Sequence, residues 1–133
     1  MIRGGCLCGG VRYEISGDLS DMCYCHCQMC RRIHGTPFGS FGAINPQQRC
    51  YTRGEELIVE YQSSADAVRT FCSRCGSKLA FQSSQFPDEV WIAAGTFDDD
   101  PGIRPTYHIF VDSKAPWFEI TDDLKQYPEE PEG

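Results

Sequence analysis

The sequence predicts a mainly β fold, a compact sandwich-like arrangement of short antiparallel strands, and three observations carry that reading. Apolar and polar residues alternate with period two in several short runs; Gly, Pro and Asn interrupt the runs at close intervals; and only one stretch has helical character. With so little helix to cover a parallel sheet, antiparallel strands must bury their apolar faces against one another. The 133 residues suit one domain with its own core, and 41% hydrophobic with 23% charged residues is the balance of a globular chain.

Taken in order, Val11, Tyr13 and Ile15 alternate with Arg12 and Glu14 in a first strand that Gly17-Asp18 ends. Met22 to Cys25 reads as extended, and Cys27 to His34 as one or two helical turns closed by Gly35, a residue suited to a left-handed cap. Strand character returns from Thr36-Pro37-Phe38 to Ile44, before a turn at Asn45-Pro46. Leu57 to Tyr61 alternates again, with Leu57, Val59 and Tyr61 on one face. Further strands are predicted at Val68 to Phe71, Leu79 to Gln82, Glu89 to Ala94, His108 to Val111 and Trp117 to Ile120. The acidic, proline-containing segment 127–133 is expected to fray into solvent, leaving a single domain over residues 1–126.

The formal net charge is −7, which disfavours sequence-independent nucleic-acid binding and attraction to acidic membranes, both of which need clustered Lys and Arg. No apolar run approaches the roughly 18 residues of a membrane span, and the N-terminus has no apolar stretch like that of a signal peptide, so a cytoplasmic location is expected. In a reducing compartment nine cysteines read as metal ligands or catalytic thiols, and their odd number leaves any all-disulfide scheme one short.

Seven of the nine lie in three short clusters. Cys72-Ser73-Arg74-Cys75-Gly76 has the spacing of a zinc knuckle, two sulfurs on one tight turn. The same spacing serves redox pairs, but no βαβ pattern surrounds this one. Cys6-Leu7-Cys8-Gly9-Gly10 offers two more sulfurs on a second glycine-rich turn, and the four together would close a structural tetrahedron with no position for substrate. Cys25-His26-Cys27-Gln28-Met29-Cys30 places three thiols in six residues, the ligand count of a catalytic zinc with an open fourth position. Cys23 or His26 could instead supply a fourth ligand and make this site structural as well.

Other residues carry weaker signals. Arg31 and Arg32 could offset thiolate charge, bind a substrate carboxylate or form a solvated basic pair. His34 and His108 read as ordinary hydrogen-bonded histidines, Asp98-Asp99-Asp100 as a solvated turn, and Cys50 as a small buried residue.

The three cysteine motifs, in order, together with Gly35-Thr36-Pro37-Phe38, Gly95-Thr96-Phe97-Asp98-Asp99, His108-Ile109-Phe110-Val111 and Ala115-Pro116-Trp117, resemble the glutathione-dependent formaldehyde-activating enzyme family, whose domain is shared with centromere protein V. The resemblance spans nearly the whole chain. It implies a mainly β zinc fold with a structural zinc on Cys6, Cys8, Cys72 and Cys75, and a second zinc, occupied in full or in part, on Cys25, Cys27 and Cys30. It also implies the family's activity, joining glutathione and formaldehyde into S-(hydroxymethyl)glutathione, a carbon-sulfur lyase reaction in reverse, with a small thiol and an aldehyde as partners. The residues themselves leave a rival reading, a non-catalytic zinc domain that serves as a protein-interaction module.

Overall fold

The computed structural model describes residues 1–131, and the order of its elements follows from where the chain can alternate and where it must turn. Strands β1 (Ile2–Gly5), β2 (Arg12–Ile15) and β5 (Arg49–Arg53) form a three-stranded antiparallel sheet in the order β1-β2-β5. The second sheet contains β3 (Asp21–Cys25), β4 (Gly39–Ile44), β6 (Ile58–Gln62), β7 (Ala67–Cys72), β8 (Lys78–Ser83), β9 (Val90–Ala93), β10 (Tyr107–Ile109) and β11 (Lys125–Gln126). Its order is β11-β10-β3-β4-β9-β8-β7-β6, antiparallel except that β10 runs parallel to both β3 and β11. The one α-helix among the described residues, α1 (Gln28–His34), follows β3. No described helix is long and apolar enough to cross a membrane.

The two sheets meet as a sandwich does. Ile2, Tyr13 and Ile15 of the small sheet pack with Met22, Ile44, Ala80, Val90 and Ile92 of the large one in a single buried cluster. Each large side chain removed from water there contributes about 1.5–3 kcal/mol. A second buried cluster joins Cys6 and Val11 to Cys72 and Leu79, and a third joins Cys25 and Cys30 to Phe41, so both sulfur groups are set into core rather than onto the surface.

The helix forms as its spacing predicts. Cys27 is its N-cap, accepting the Cys30 N–H on its sulfur at 3.3 Å, and Gly35 ends it in the left-handed region at φ 65°. Gly54, at φ 75°, has no room for a Cβ because the Gly10 carbonyl lies against it, and this close approach brings the start of β6 to the first cysteine turn.

The structure corrects several expectations. β1 and β5 are strands although neither alternates cleanly; Ile2 and Tyr51 pack onto the core, and pairing with β2 satisfies the backbone. Trp117 to Ile120 is not a strand, because Pro116 and Trp117 occupy a turn and Pro116 cannot donate to a ladder. Val59 and Tyr61 face solvent, since β6 is an edge strand, while Leu57 lies in the preceding 3-10 turn and packs inward. Cys50 is exposed on β5 rather than buried. Segment 127–133 does not fray as far as it is described: Tyr127 N–H donates to the His108 carbonyl at 2.9 Å, and Phe110 N–H to that of Glu129 at 2.9 Å. Residues 132–133 lie outside the described residues.

The Asp98-Asp99-Asp100 turn stays largely solvent-facing, as expected, and each of its carboxylates also meets an arginine. Asp98 pairs with Arg12, Asp99 with Arg3 at 3.0 Å and Asp100 with Arg104 at 2.8 Å, tying both strands of the β1-β2 hairpin to the turn.

Candidate metal centre

The first sulfur group forms where two turns meet. Cys6 and Cys8 leave β1 on a turn held by the Cys6 carbonyl accepting from Gly9 N–H at 3.1 Å. Cys72 ends β7, and the knuckle turn closes by Gly76 N–H donating to the Cys72 carbonyl at 2.8 Å, with Gly76 at φ 78°. Ser77 clips the two turns together, its hydroxyl accepting from Leu7 N–H at 2.9 Å and lying 3.2 Å from Cys75 Sγ.

Cys6, Cys8, Cys72 and Cys75 place their sulfurs within 4.8 Å of one another. The Cys6–Cys8 separation is 3.6 Å and the Cys8–Cys72 separation 3.9 Å. A zinc tetrahedron with Zn–S bonds of about 2.3 Å has edges of about 3.8 Å, whereas a disulfide needs about 2.05 Å. The spacing is that of a metal cradle. The surroundings also suit thiolates: Val11 N–H donates to Cys6 Sγ at 3.2 Å and Gly10 N–H to Cys8 Sγ at 3.4 Å. The Ser77 hydroxyl, followed by its backbone, holds Cys75 down to about 5.

The second group is local. Cys25 ends β3, Cys27 caps α1 and Cys30 lies in its first turn, with all three sulfurs within 4.8 Å of one another. Cys25 and Cys30 are buried and Cys27 is half-buried. Phe41, Phe81, Trp91, Ile109 and Phe110 wall the group. Sulfur contacts with Cys25 and then Cys30, aided by the Cys30 N–H, hold the Cys27 thiol down, while contacts with Cys27 and Cys30 push Cys25 up. With no cation between them, three clustered sulfurs cannot all ionise readily, which is the electrostatic condition a divalent metal relieves.

Neither Cys23 nor His26 joins this group among the described residues. The Cys23 thiol is buried and pushed up to about 12, chiefly by that burial. His26, 0% exposed, turns its Nε2 to His108 Nδ1 at 2.8 Å, and His108 Nε2 lies 3.0 Å from Asp122 Oδ2. With the Asp122 carboxylate accepting, His108 donates from Nε2 and accepts at Nδ1 from His26. His108 is thus a hydrogen-bonded histidine, as the sequence suggests, and its partners are a histidine and an aspartate that the sequence did not signal.

Arg31 and Arg32 line an open groove of about 440 Å³ with Gln28, Gly35, Thr36 and Trp117, the last 69% exposed. Arg31 is partly committed, since its Nη1 donates to the Ser113 carbonyl at 2.9 Å; its Nε is buried without a partner. A residue missed in the sequence is Arg69 on β7, whose Nη1 lies 3.5 Å from Cys30 Sγ. Its only signal was an arginine on the inward phase of the strand that leads to the knuckle.

Two stacked sheets carrying one four-sulfur and one three-sulfur group define a mainly β, cysteine-rich domain with two clusters able to hold metal ions. The model of the glutathione-dependent formaldehyde-activating enzyme family matches residues 1–113, and the chain belongs to that family. It is 28% identical over 127 residues to a Halomonas elongata protein provisionally named a glutathione-dependent formaldehyde-activating enzyme, covering 90% of this chain and 81% of that one. An uncharacterised lyase of Schizosaccharomyces pombe is 25% identical over 125 residues, covering 94% and 89%. A crystal structure of a Rhodobacter sphaeroides protein superposes with a TM-score of 0.62 at 26% identity, covering 77% of this chain and 91% of that one.

Proposed function

We propose that the chain is a zinc-dependent, carbon-sulfur lyase-type enzyme acting on the adduct of a low-molecular-weight thiol and an aldehyde, similar to S-(hydroxymethyl)glutathione synthase. Cys6, Cys8, Cys72 and Cys75 would hold a structural zinc, and Cys25, Cys27 and Cys30 a second zinc where the reaction takes place. The observation that carries the reading is the contrast in ligand count: one sulfur group is complete at four, and the other stops at three among packed apolar side chains. When bound at three sulfurs, zinc supplies an acceptor position that favours the ionised form of a thiol.

The protein's own residues bind and orient. Cys25 and Cys30 are fixed by burial and Cys27, the least buried of the three, by its cap. Arg32, with Arg31, offers positive charge beside Trp117 for the carboxylates of a peptide thiol such as glutathione. In the synthetic direction the thiol sulfur bonds to the aldehyde carbon and the thiol's proton ends on the aldehyde oxygen; cleavage reverses both. The rival of a closed, non-catalytic second site needed Cys23 or His26 as fourth ligand, and both lie outside the group. A cytoplasmic location fits a thiol substrate maintained in a reducing compartment.

The test is turnover of formaldehyde with glutathione by the zinc-loaded protein. Saturable formation of the adduct, lost in Cys27→Ser while the fold persists, is expected; full turnover in that variant would refute the assignment.

A further inference from the structure

Among the described residues Arg69 is the one buried arginine, at 6% exposed, and no described carboxylate lies within 4.0 Å of it. A guanidinium keeps its charge at any ordinary pH, and an unpaired buried charge is among the most unfavourable arrangements a core can hold. The side chain has three contacts. Nη1 donates to Cys30 Sγ at 3.5 Å, Nε donates to Ser63 Oγ at 3.2 Å, and the guanidinium carbon sits 4.9 Å from the centre of the Phe81 ring. Two are neutral groups. The anion that answers the buried cation is therefore the sulfur group itself.

We infer that Arg69 is the charge-balancing residue of the three-cysteine site, and that it sets the site's preference for an anionic fourth ligand over a neutral one. The inference rests on the proposed second metal. Three thiolates around a divalent ion carry one net negative charge, and Arg69 brings the buried assembly to neutrality. An incoming thiolate then leaves the assembly at one negative charge instead of two, beside packed aromatic side chains where charge is poorly solvated. The N–H···S contact also draws electron density from Cys30, so the metal keeps more appetite for a further sulfur than three unmodified thiolates would leave it. The fork geometry explains the choice of arginine. One planar group reaches Ser63 with one edge and Cys30 with another while its face rests on Phe81, an arrangement a lysine ammonium cannot reproduce.

The four-sulfur group has no such need. Cys8 is exposed, so water stabilises its excess charge, and the group has no fourth ligand to select.

The experiment uses the full chain loaded with cobalt(II), whose sulfur charge-transfer bands report both sites. Glutathione and imidazole are titrated separately into the wild type, Arg69→Met and Arg69→Lys. Arg69→Met is expected to take up two cobalt ions and keep the four-sulfur spectrum, yet bind the thiol about 10–100-fold more weakly, the usual effect of removing an outer-shell partner. Imidazole affinity should hold, and Arg69→Lys should fall between. Unchanged thiol affinity in Arg69→Met overturns the inference, as does an equal loss for thiol and imidazole, which would mark a purely structural role. If Arg69→Met does not fold, Ser63→Ala loosens the guanidinium without deleting it and must show a smaller thiol-selective weakening; the same affinity as wild type overturns the inference. Uptake of one cobalt ion by the wild type itself would instead remove the second metal site on which both readings stand.

Discussion

The two sulfur groups share a donor and differ in what they connect. Cys8 and Cys72 are 64 positions apart, so the four-sulfur group joins the turn after β1 to the end of β7 and fastens the small sheet to the large one. Cys25, Cys27 and Cys30 span one strand end and one helical turn, and a metal there crosslinks almost nothing. A ligand that closes a long loop removes far more unfolded-state entropy than one that closes a short loop. The first group is thus placed to govern stability. The second, on the proposed reading, is where the chemistry takes place.

The largest expected effect breaks the first group. Structural zinc contributes on the order of 10 kcal/mol, comparable with the entire 5–15 kcal/mol stability of a domain. Cys72→Ser should therefore abolish cooperative thermal unfolding followed by circular dichroism, and a native-like melt would show that the cluster fastens nothing. Cys27→Ser, by contrast, should retain a cooperative melt near that of the wild type while losing turnover. A collapse of stability in that variant would erase the distinction between the two groups.

A smaller effect tests the core under the first group. Val11 is fully buried beside Cys6, Cys72 and Leu79, and Val11→Ala should cost about 1–3 kcal/mol of unfolding free energy and loosen metal at that group alone. Equal weakening of both metal sites would show that they are coupled through the core.

The smallest effect is a pH dependence near the second group. Burial, followed by repulsion from Arg69 and Lys78, pushes His34 down to about 4, so the fold favours the neutral ring. Its contribution is fully present above the unfolded value of about 6.5 and is lost as pH falls from there through 4. The stability advantage of the wild type over His34→Gln should narrow across that window in parallel thermal melts. A constant advantage would mean that His34 acts only through its packing on Phe41, whose ring it meets edge-on at 5.6 Å.

What the sequence made legible is what short-range rules govern. Cysteine spacing marked both sulfur groups, Gly35 marked the helix end, period-two alternation marked β2, and extended or strand-forming runs marked β3, β8 and β9. What it hid depends on partners distant in the chain. β1 reads as Ile-Arg-Gly-Gly and is a strand only because β2 pairs with it; Arg69 is an ordinary strand arginine until α1 folds Cys30 over it. The aspartates at 98–100 are solvated as they read, but the pairing of Asp98 with Arg12 and Asp99 with Arg3, more than 80 positions away, was not legible. Trp117 to Ile120 shows the opposite error, local apolar character without a neighbouring strand to pair with.

The most direct measurement is zinc stoichiometry with X-ray absorption at the zinc edge, on the wild type and on the triple variant Cys25→Ser, Cys27→Ser, Cys30→Ser, with and without glutathione. Expected are two zinc ions per wild-type chain, one of them gaining a sulfur ligand when glutathione is added, and one unresponsive four-sulfur zinc in the triple variant. Two four-sulfur sites in the wild type that ignore the thiol would contradict an open second centre.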